Sequence, residues 1–338
     1  MTAHASGASR ARPYEPGILL RGWRSPWLRF AIRRLSRLVA SVWVLVSVSF
    51  FMIHLIPGDP VRQALGKYAS TQLVNRQRAA LGLDDPLPTQ YARYIVDLVH
   101  GDFGRSIITQ RPVAGEMAER LPATLQIALL AFVVIVLISV PVGVFVAALT
   151  RGGRRGRLEL GFASTSVLLA AIPDFLLAVG LVYVFSVRLQ WFPIAGRTDA
   201  ASYVLPIISL SLGSAAILVR IVRVETLSVL GEDFIRTARA KRLPARSIYL
   251  RHALPNALTA TLTFGGLLLT GLVAGTVLVE NVFAWPGLGT VIVSSIQSHD
   301  YPVVQAVVLI YGLMVLAVNL LVDVLLAVID PRSTIKGS

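Results

Sequence analysis

The sequence predicts an all-α, polytopic membrane protein with six transmembrane helices, and three observations lead there. Hydrophobic residues make up 55% of the 338 positions and charged residues 15%, well under the roughly 25% charged residues of a soluble globule. Six apolar runs, at residues 38–56, 125–149, 162–187, 203–222, 258–283 and 303–329, are long enough to cross a bilayer as helices. Lys and Arg gather in alternate connections between these runs, which is the charge asymmetry of a multi-spanning protein.

Taken in chain order, residues 1–37 form a basic tail (Arg10, Arg12, Arg21, Arg24, Arg29, Arg33, Arg34, Arg37) expected to be disordered. The first apolar run lies behind that tail, exceeds the roughly 7–15 residues of a signal-peptide core, and has no small-residue cleavage site after it; it is expected to remain as an anchor. Residues 38–332 form one membrane domain. Its first connection, 57–124, is long enough to need structure of its own. Ser70 is placed to cap a helix running to Leu81 and stopped by Gly82, and Pro88 or Thr89 to start a second through Val99, stopped by Gly101. Leu73, Ala80 and Leu81, then Tyr91, Tyr94, Ile95 and Leu98, give each helix an apolar face. The expected result is a small cap at the outer mouth that contacts a delivery protein or substrate.

The second connection carries Arg151, Arg154, Arg155 and Arg157, and residues 220–251 are rich in Lys and Arg. The third-to-fourth connection has only Arg188 and Arg197, and residues 280–302 have none. The positive-inside rule therefore puts both termini and the loop 223–257 in the cytoplasm, with 57–124 outside. The same placement explains the net charge of +14 without nucleic acid, because the basic residues flank the membrane, where they meet lipid headgroups.

The most informative cytoplasmic segment is Asp233-Phe-Ile-Arg-Thr-Ala-Arg-Ala-Lys-Arg-Leu-Pro-Ala-Arg-Ser-Ile-Tyr-Leu-Arg-His-Ala-Leu-Pro-Asn256. It is a basic, amphipathic helix-turn-helix pattern, interrupted near Arg242 to Pro244 and closed by Leu254 and Pro255. Such a pattern is a docking surface and carries no catalytic constellation.

This segment resembles the coupling loop of ABC-importer membrane subunits, whose pattern is Glu-Ala-Ala, three residues, Gly, nine residues, Ile, one residue, Leu-Pro. In that register Arg236 stands at the Glu, Thr237 and Ala238 at the alanines, Arg242 at the glycine, His252 at the isoleucine, and Leu254 and Pro255 at the closing pair. Further stretches are similar to the first permease subunit of dipeptide, oligopeptide or nickel importers. They are Ile56-Pro-Gly-Asp-Pro60, Ala80-Leu-Gly-Leu-Asp-Asp-Pro-Leu-Pro-Thr-Gln-Tyr91, Gly101-Asp-Phe-Gly-Arg-Ser106, Glu119-Arg-Leu-Pro-Ala-Thr-Leu125, Phe283-Ala-Trp-Pro-Gly-Leu-Gly289, Asp300-Tyr-Pro-Val-Val-Gln305, and Asn319-Leu-Leu-Val-Asp323 through Ile329-Asp-Pro-Arg332. The resemblance implies a type I ABC-importer permease fold in a bacterial cytoplasmic membrane. It implies as partners a second permease subunit, two ATPase subunits that hold ATP and Mg, and an extracytoplasmic substrate-binding protein. Phe234, Ile235, Ala238 and Leu243 are then expected to form the face buried in the ATPase, with Arg236 and Arg239 on its rim. Arg242 departs from the glycine. Pro244 biases Leu243 away from helix and can end the first helix without positive φ, which would leave Arg242 free to reach an acidic group on the partner.

Other function classes find little support. There is no Cys, so disulfides, thiol nucleophiles and thiolate metal sites are excluded. Asp102-Phe-Gly104 spells a kinase triplet without the accompanying Gly-rich loop, and Gly152-Gly-Arg-Arg-Gly156 lacks the spacing and Lys of a phosphate loop; ATP chemistry in this chain is not expected. A secondary transporter or channel without ATPase partners is the alternative, but no repeat relates the first three spans to the last three. An intramembrane hydrolase would need a nucleophile and base, which are not recognisable. Among intramembrane polar residues, Asp174 after Pro173 interrupts the third span and either lines the translocation path or bonds a neighbouring helix. His54 and Asp323 fall near span ends, and Asn319 suits an interhelical hydrogen bond. Gly271 and Gly275 are spaced for close helix packing.

Overall fold

A computed structural model describes residues 26–329 apart from 56, 67 and 154. The calls on residues 1–25 and on Asp330-Pro-Arg332 fall outside the described residues. Among the described residues the architecture is helical, with five helices long and apolar enough to cross a membrane and a sixth crossing made by a bent pair.

Helix α1 (Pro26–His54) starts well before residue 38, so the expected tail boundary is corrected. Arg34 in this extension forms an ion pair with Asp323 of the last helix, and a helix can carry such arginines at the interface because their stems lie along apolar surface. The connection after α1 contains α2 (Pro60–Leu65), α3 (Thr71–Ala80) and α4 (Leu87–Val99). The Ser70 hydroxyl accepts the Leu73 N–H at 3.2 Å as its cap, and Gly82 and Gly101 take positive φ beyond α3 and α4. Helix α2 was not anticipated; Asp59 caps it by accepting the Val61 N–H at 3.0 Å. The cap rests on α1, where Tyr91 stacks against Phe51 and bonds the Ser47 hydroxyl at 2.7 Å. Burial pushes the Tyr94 phenol up to about 12, so it stays neutral against Phe50 and Ser49.

Helix α5 (Val113–Thr150) begins before the apolar run. The connection between α1 and α5 is therefore shorter than 57–124. Glu116, Glu119, Arg120 and Pro122 break the hydropathy pattern without ending the helix, which runs on through Pro122. The third crossing is α6 (Gly156–Ala171) and α7 (Asp174–Leu181), bent by 89°. Pro173 lacks an N–H and disfavours helix at the preceding residue; Ile172 accordingly has ψ 120. A wider π-helical stretch, Val182–Arg188, completes that crossing.

Helix α8 (Val204–Val229) packs along α5. Ala123, Ile127, Ala131 and Ile135, one turn apart on α5, meet Leu205, Leu210, Ala215, Leu218 and Val222 in the main core. Ser139 donates to the Ala215 carbonyl and Ser211 to the Ala131 carbonyl, both at 3.2 Å. Such bonds hold helices together where lipid supplies no hydrophobic drive between them. Helix α9 (Asp233–Ala240) follows on the loop, and α10 (Leu254–Val282), α11 (Leu288–Gln297) and α12 (Tyr301–Ile329) complete the chain. Thr270 of α10 donates to Asn319 of α12 at 3.0 Å, the interhelical bond expected of that asparagine. A Cβ at the exposed Gly271 would meet nothing within 4 Å and one at Gly275 would meet Asp174 and Leu210, whereas helices of this chain approach closely at Gly143, Gly266 and Gly312.

Gly143 gives a direct test of the α5–α8 seam. A Cβ there would lie 2.6 Å from Val222 and 2.9 Å from the Val219 carbonyl oxygen, so a side chain forces the helices apart. Gly143→Ala should destabilise the fold by about 1–3 kcal/mol, and Val222→Ala on that background should recover part of the loss. Thermal unfolding midpoints in detergent check this; an unchanged midpoint for Gly143→Ala would show that the seam is looser than described.

Candidate coupling surface and intramembrane polar sites

The loop between α8 and α10 builds a small core of its own. Leu230 at the end of α8, Ile235 and Ala238 on α9, and Ile248 and Ala253 beyond the turn are all buried together, with Leu243 and Tyr249 packed against them. This corrects the face assigned to the partner. Ile235 is fully buried and Ala238 nearly so within the chain itself, because an eight-residue helix has too little propensity to stand alone and must bury one face locally. Of the four apolar residues predicted to face outward, Phe234 is the exposed one, at 44%. Arg236 and Arg242 are exposed as well, and Arg236 pairs at 3.1 Å with Asp233. Arg239 is partly buried, and its Nη2 has no hydrogen-bond partner.

The turn is made by Arg242 and not by Pro244. Arg242 has φ +55, its N–H donates to the Arg239 carbonyl at 2.8 Å, and the Leu243 N–H donates to the Ala238 carbonyl at 3.3 Å. These two bonds, with Leu243 lying over Ala238, are a Schellman motif whose left-handed position is normally glycine. The expectation of a turn without positive φ is therefore wrong: the orphan carbonyls at the end of α9 are satisfied only if residue 242 goes left-handed. Leu254 and Pro255 do not close the segment either. They open α10, which the π-helical stretch Ile248–Ala253 enters without a break.

Asp174 is the first residue of α7 and half-buried. Its carboxylate lies between α8 and α10: Cβ atoms placed at Gly213 and Gly275 would each be 3.5 Å from one of its oxygens. Among the described residues its carboxylate makes no hydrogen bond or ion pair with a neighbouring helix.

Glu280 is a site that the residue pattern left unassigned. It is fully buried near the C-terminal end of α10, and Oε2 accepts the Gly289 N–H at 2.6 Å. The 283–289 turn closes over it. The Trp285 indole N–H donates to the Ala123 carbonyl at 3.1 Å, and the Leu288 N–H to Thr124 Oγ1 at 2.9 Å, both on α5. Side chains at 287 or 289 would collide with Glu280 at 2.4 and 2.8 Å, which explains the glycines of Trp285-Pro-Gly-Leu-Gly289. The signal in the sequence was a lone carboxylate shortly before that motif.

Against known proteins, residues 139–335 match the profile of the family described as binding-protein-dependent transport system inner membrane component, and residues 27–128 match the corresponding N-terminal family. The glutathione transport system permease protein GsiC of Escherichia coli strain K12 is 38% identical over 309 residues, covering 91% of this chain and all of that protein. The GsiC of Shigella flexneri serotype 5b is equally similar over the same extent. Among solved structures, an inward-facing MetNI methionine ABC transporter superposes with a TM-score of 0.55 at 21% identity, over 63% of this chain and 96% of that one; this likeness concerns the fold alone.

The strained turn yields a measurable expectation. A non-glycine residue in the left-handed region costs about 1–2 kcal/mol, so Arg242→Gly should stabilise the loop by about 1 kcal/mol, while Arg242→Val should destabilise it. Resistance of the loop to chymotrypsin in detergent reports this. Faster cleavage of the glycine variant would contradict the turn geometry.

Proposed function

This chain belongs to the family of binding-protein-dependent transport system inner membrane components, and from that membership we propose that it forms half of a translocation pathway for peptide-type solutes and couples to an ATPase through the exposed face of α9. It is a multi-pass inner-membrane permease of an ABC importer and not an enzyme; ATP hydrolysis in such systems belongs to separate subunits. The proposed complex holds a second permease subunit, two ATPases carrying ATP and Mg, and a binding protein outside. The observation that carries the coupling role is the division of α9 into two faces. Ile235 and Ala238 anchor the helix to the chain, leaving Phe234 with Arg236 and Arg242 outward, as an anchor with a polar rim suits a groove on a partner. The peptide class is supported by the similarity to glutathione permeases and by the peptide-importer motifs. The orientation, with both termini and α9 in the cytoplasm and the cap outside, rests on the basic residues around α9 and in 151–157.

Phe234→Ala removes the exposed anchor without touching the loop core. Copurification of the ATPase and ATP-driven solute uptake should fall by about tenfold or more, with normal permease abundance. Ala238→Glu, by contrast, places a charge in the loop core and should disorder the loop itself. Normal uptake by Phe234→Ala would show that the partner docks elsewhere.

The orientation is testable by single-cysteine labelling, since the native chain has none. A cysteine at the exposed Val99 should react with an impermeant maleimide in intact spheroplasts, and one at the exposed Ala245 only after lysis. The opposite pattern would invert the proposed topology.

A further inference from the structure

The loop between α8 and α10 holds more positive charge than the chain itself neutralises. Arg236, Lys241, Arg242, Arg246 and Arg251 are exposed there, against two acidic residues, Glu232 and Asp233. Arg236 takes Asp233 as its ion-pair partner. Among the described residues, no hydrogen bond, ion pair or ring contact reaches the other four cationic side chains. They follow the turn and the returning stretch from 241 to 251, while Leu243, Ile248 and Ala253 of the same stretch pack into the loop core. The loop thus sorts its residues, with apolar side chains on its own core and unpartnered cations at its surface.

Two ordinary explanations fall short. The positive-inside rule accounts for Lys and Arg beside a membrane helix, but it is indifferent to the position each one occupies. A cation near the end of a helix also suits the helix dipole, yet any residue in the last turn of α9 would serve at ordinary φ. Arg242 instead stands at φ +55, where glycine would make the same two Schellman bonds without strain. Strain kept at an exposed position is grounds for a functional role. Anionic lipid headgroups attract such charges too, but a fluid surface asks no fixed position of one guanidinium, whereas a carboxylate on a folded partner does.

We propose that Lys241, Arg242 and Arg246 form a charge-selective docking rim, and that its occupant is an ATPase subunit whose groove carries Asp or Glu side chains opposite the α9 turn. The identity of the occupant rests on the coupling proposal above. Phe234 supplies the apolar anchor, and the rim selects the partner. Charge complementarity acts on the rate of encounter and on the rejection of wrong partners, so an ATPase with a neutral or basic groove is refused. The left-handed turn fixes one guanidinium in place for a carboxylate of the right ATPase.

The experiment adds purified ATPase subunits to the assembled permease pair in nanodiscs. Association rates are measured at about 0.1 M and 1 M salt, where the screening length is about 10 and 3 Å. Wild-type association should slow steeply with salt. Lys241→Glu, Arg242→Glu and Arg246→Glu together should slow it about tenfold or more at the lower salt and remove the salt dependence. Arg242→Gly should slow association about threefold while making the loop more resistant to chymotrypsin, a pair of effects that a purely structural arginine does not give. Arg242→Lys, treated with a carbodiimide that joins amines to carboxylates, should become linked through residue 242 to an Asp or Glu of the ATPase. Wild-type rates in the triple variant, with docking still impaired in Phe234→Ala, would overturn the acidic rim and leave the coupling proposal standing. Slowing of the triple variant in phosphatidylglycerol nanodiscs but not in phosphatidylcholine would assign the cations to lipid and also overturn the rim. Normal association by both the triple variant and Phe234→Ala would remove both proposals.

Discussion

A backbone N–H or C=O left without a partner inside a bilayer costs several kcal/mol, and this constraint governs where the chain can depart from helix. Two departures define the molecule. At Ile172 and Pro173 the third crossing breaks through 89°, and small residues on α8 and α10 give the break room. At 283–289 the chain turns back after α10, and its N–H groups find Glu280 and Thr124 while the Trp285 indole finds Ala123. The second departure is sealed by the chain's own side chains.

The seam between α5 and α8 makes both arrangements possible. Ala123, Ile127, Ala131 and Ile135 give α5 a narrow stripe against α8, and Gly143 brings the two backbones close towards the C-terminal end of α5. Because α5 extends beyond its apolar run at the N-terminal end, the same helix also presents Ala123 and Thr124 to the 283–289 turn. At the other end of α8, Arg223 bonds Glu159 at 2.5 Å and Thr150 at 3.1 Å, tying α6 and α5 to the helix from which the α9 loop hangs. A displacement of α9 would thus be carried into the crossings through packed helices and a fixed ion pair, the kind of physical continuity that coupling between distant sites needs.

The α9 loop shows how a short element can be both attached and available. Its inner residues form a core that any partner would find already occupied, and the Schellman turn at Arg242 fixes the chain's exit from the helix. Retaining arginine at a left-handed position, against its conformational cost, leaves a positive charge at the edge of the exposed face.

The sequence by itself determined the class and much of the organisation. Composition and six apolar runs required helices, because backbone groups in lipid must pair within their own segment. Ser70, Gly82 and Gly101 marked the cap helices through local bonding and positive φ, which depend on few neighbours. Pro173 marked the break for the same reason. The tertiary structure decided what periodicity leaves open. Whether Ile235 and Ala238 face a partner or their own chain depends on the later residues Ile248 and Ala253 returning to cover them. Whether Gly271 or Gly143 brings helices together depends on which helix lies opposite. The start of α5 was hidden because hydropathy reports membrane burial, whereas a helix can continue into water. Glu280 and Asp174 are single carboxylates in apolar runs, alike in sequence; only the folded chain closes the 283–289 turn over the first, with the Gly289 N–H donating to it, and sets the second at a helix break.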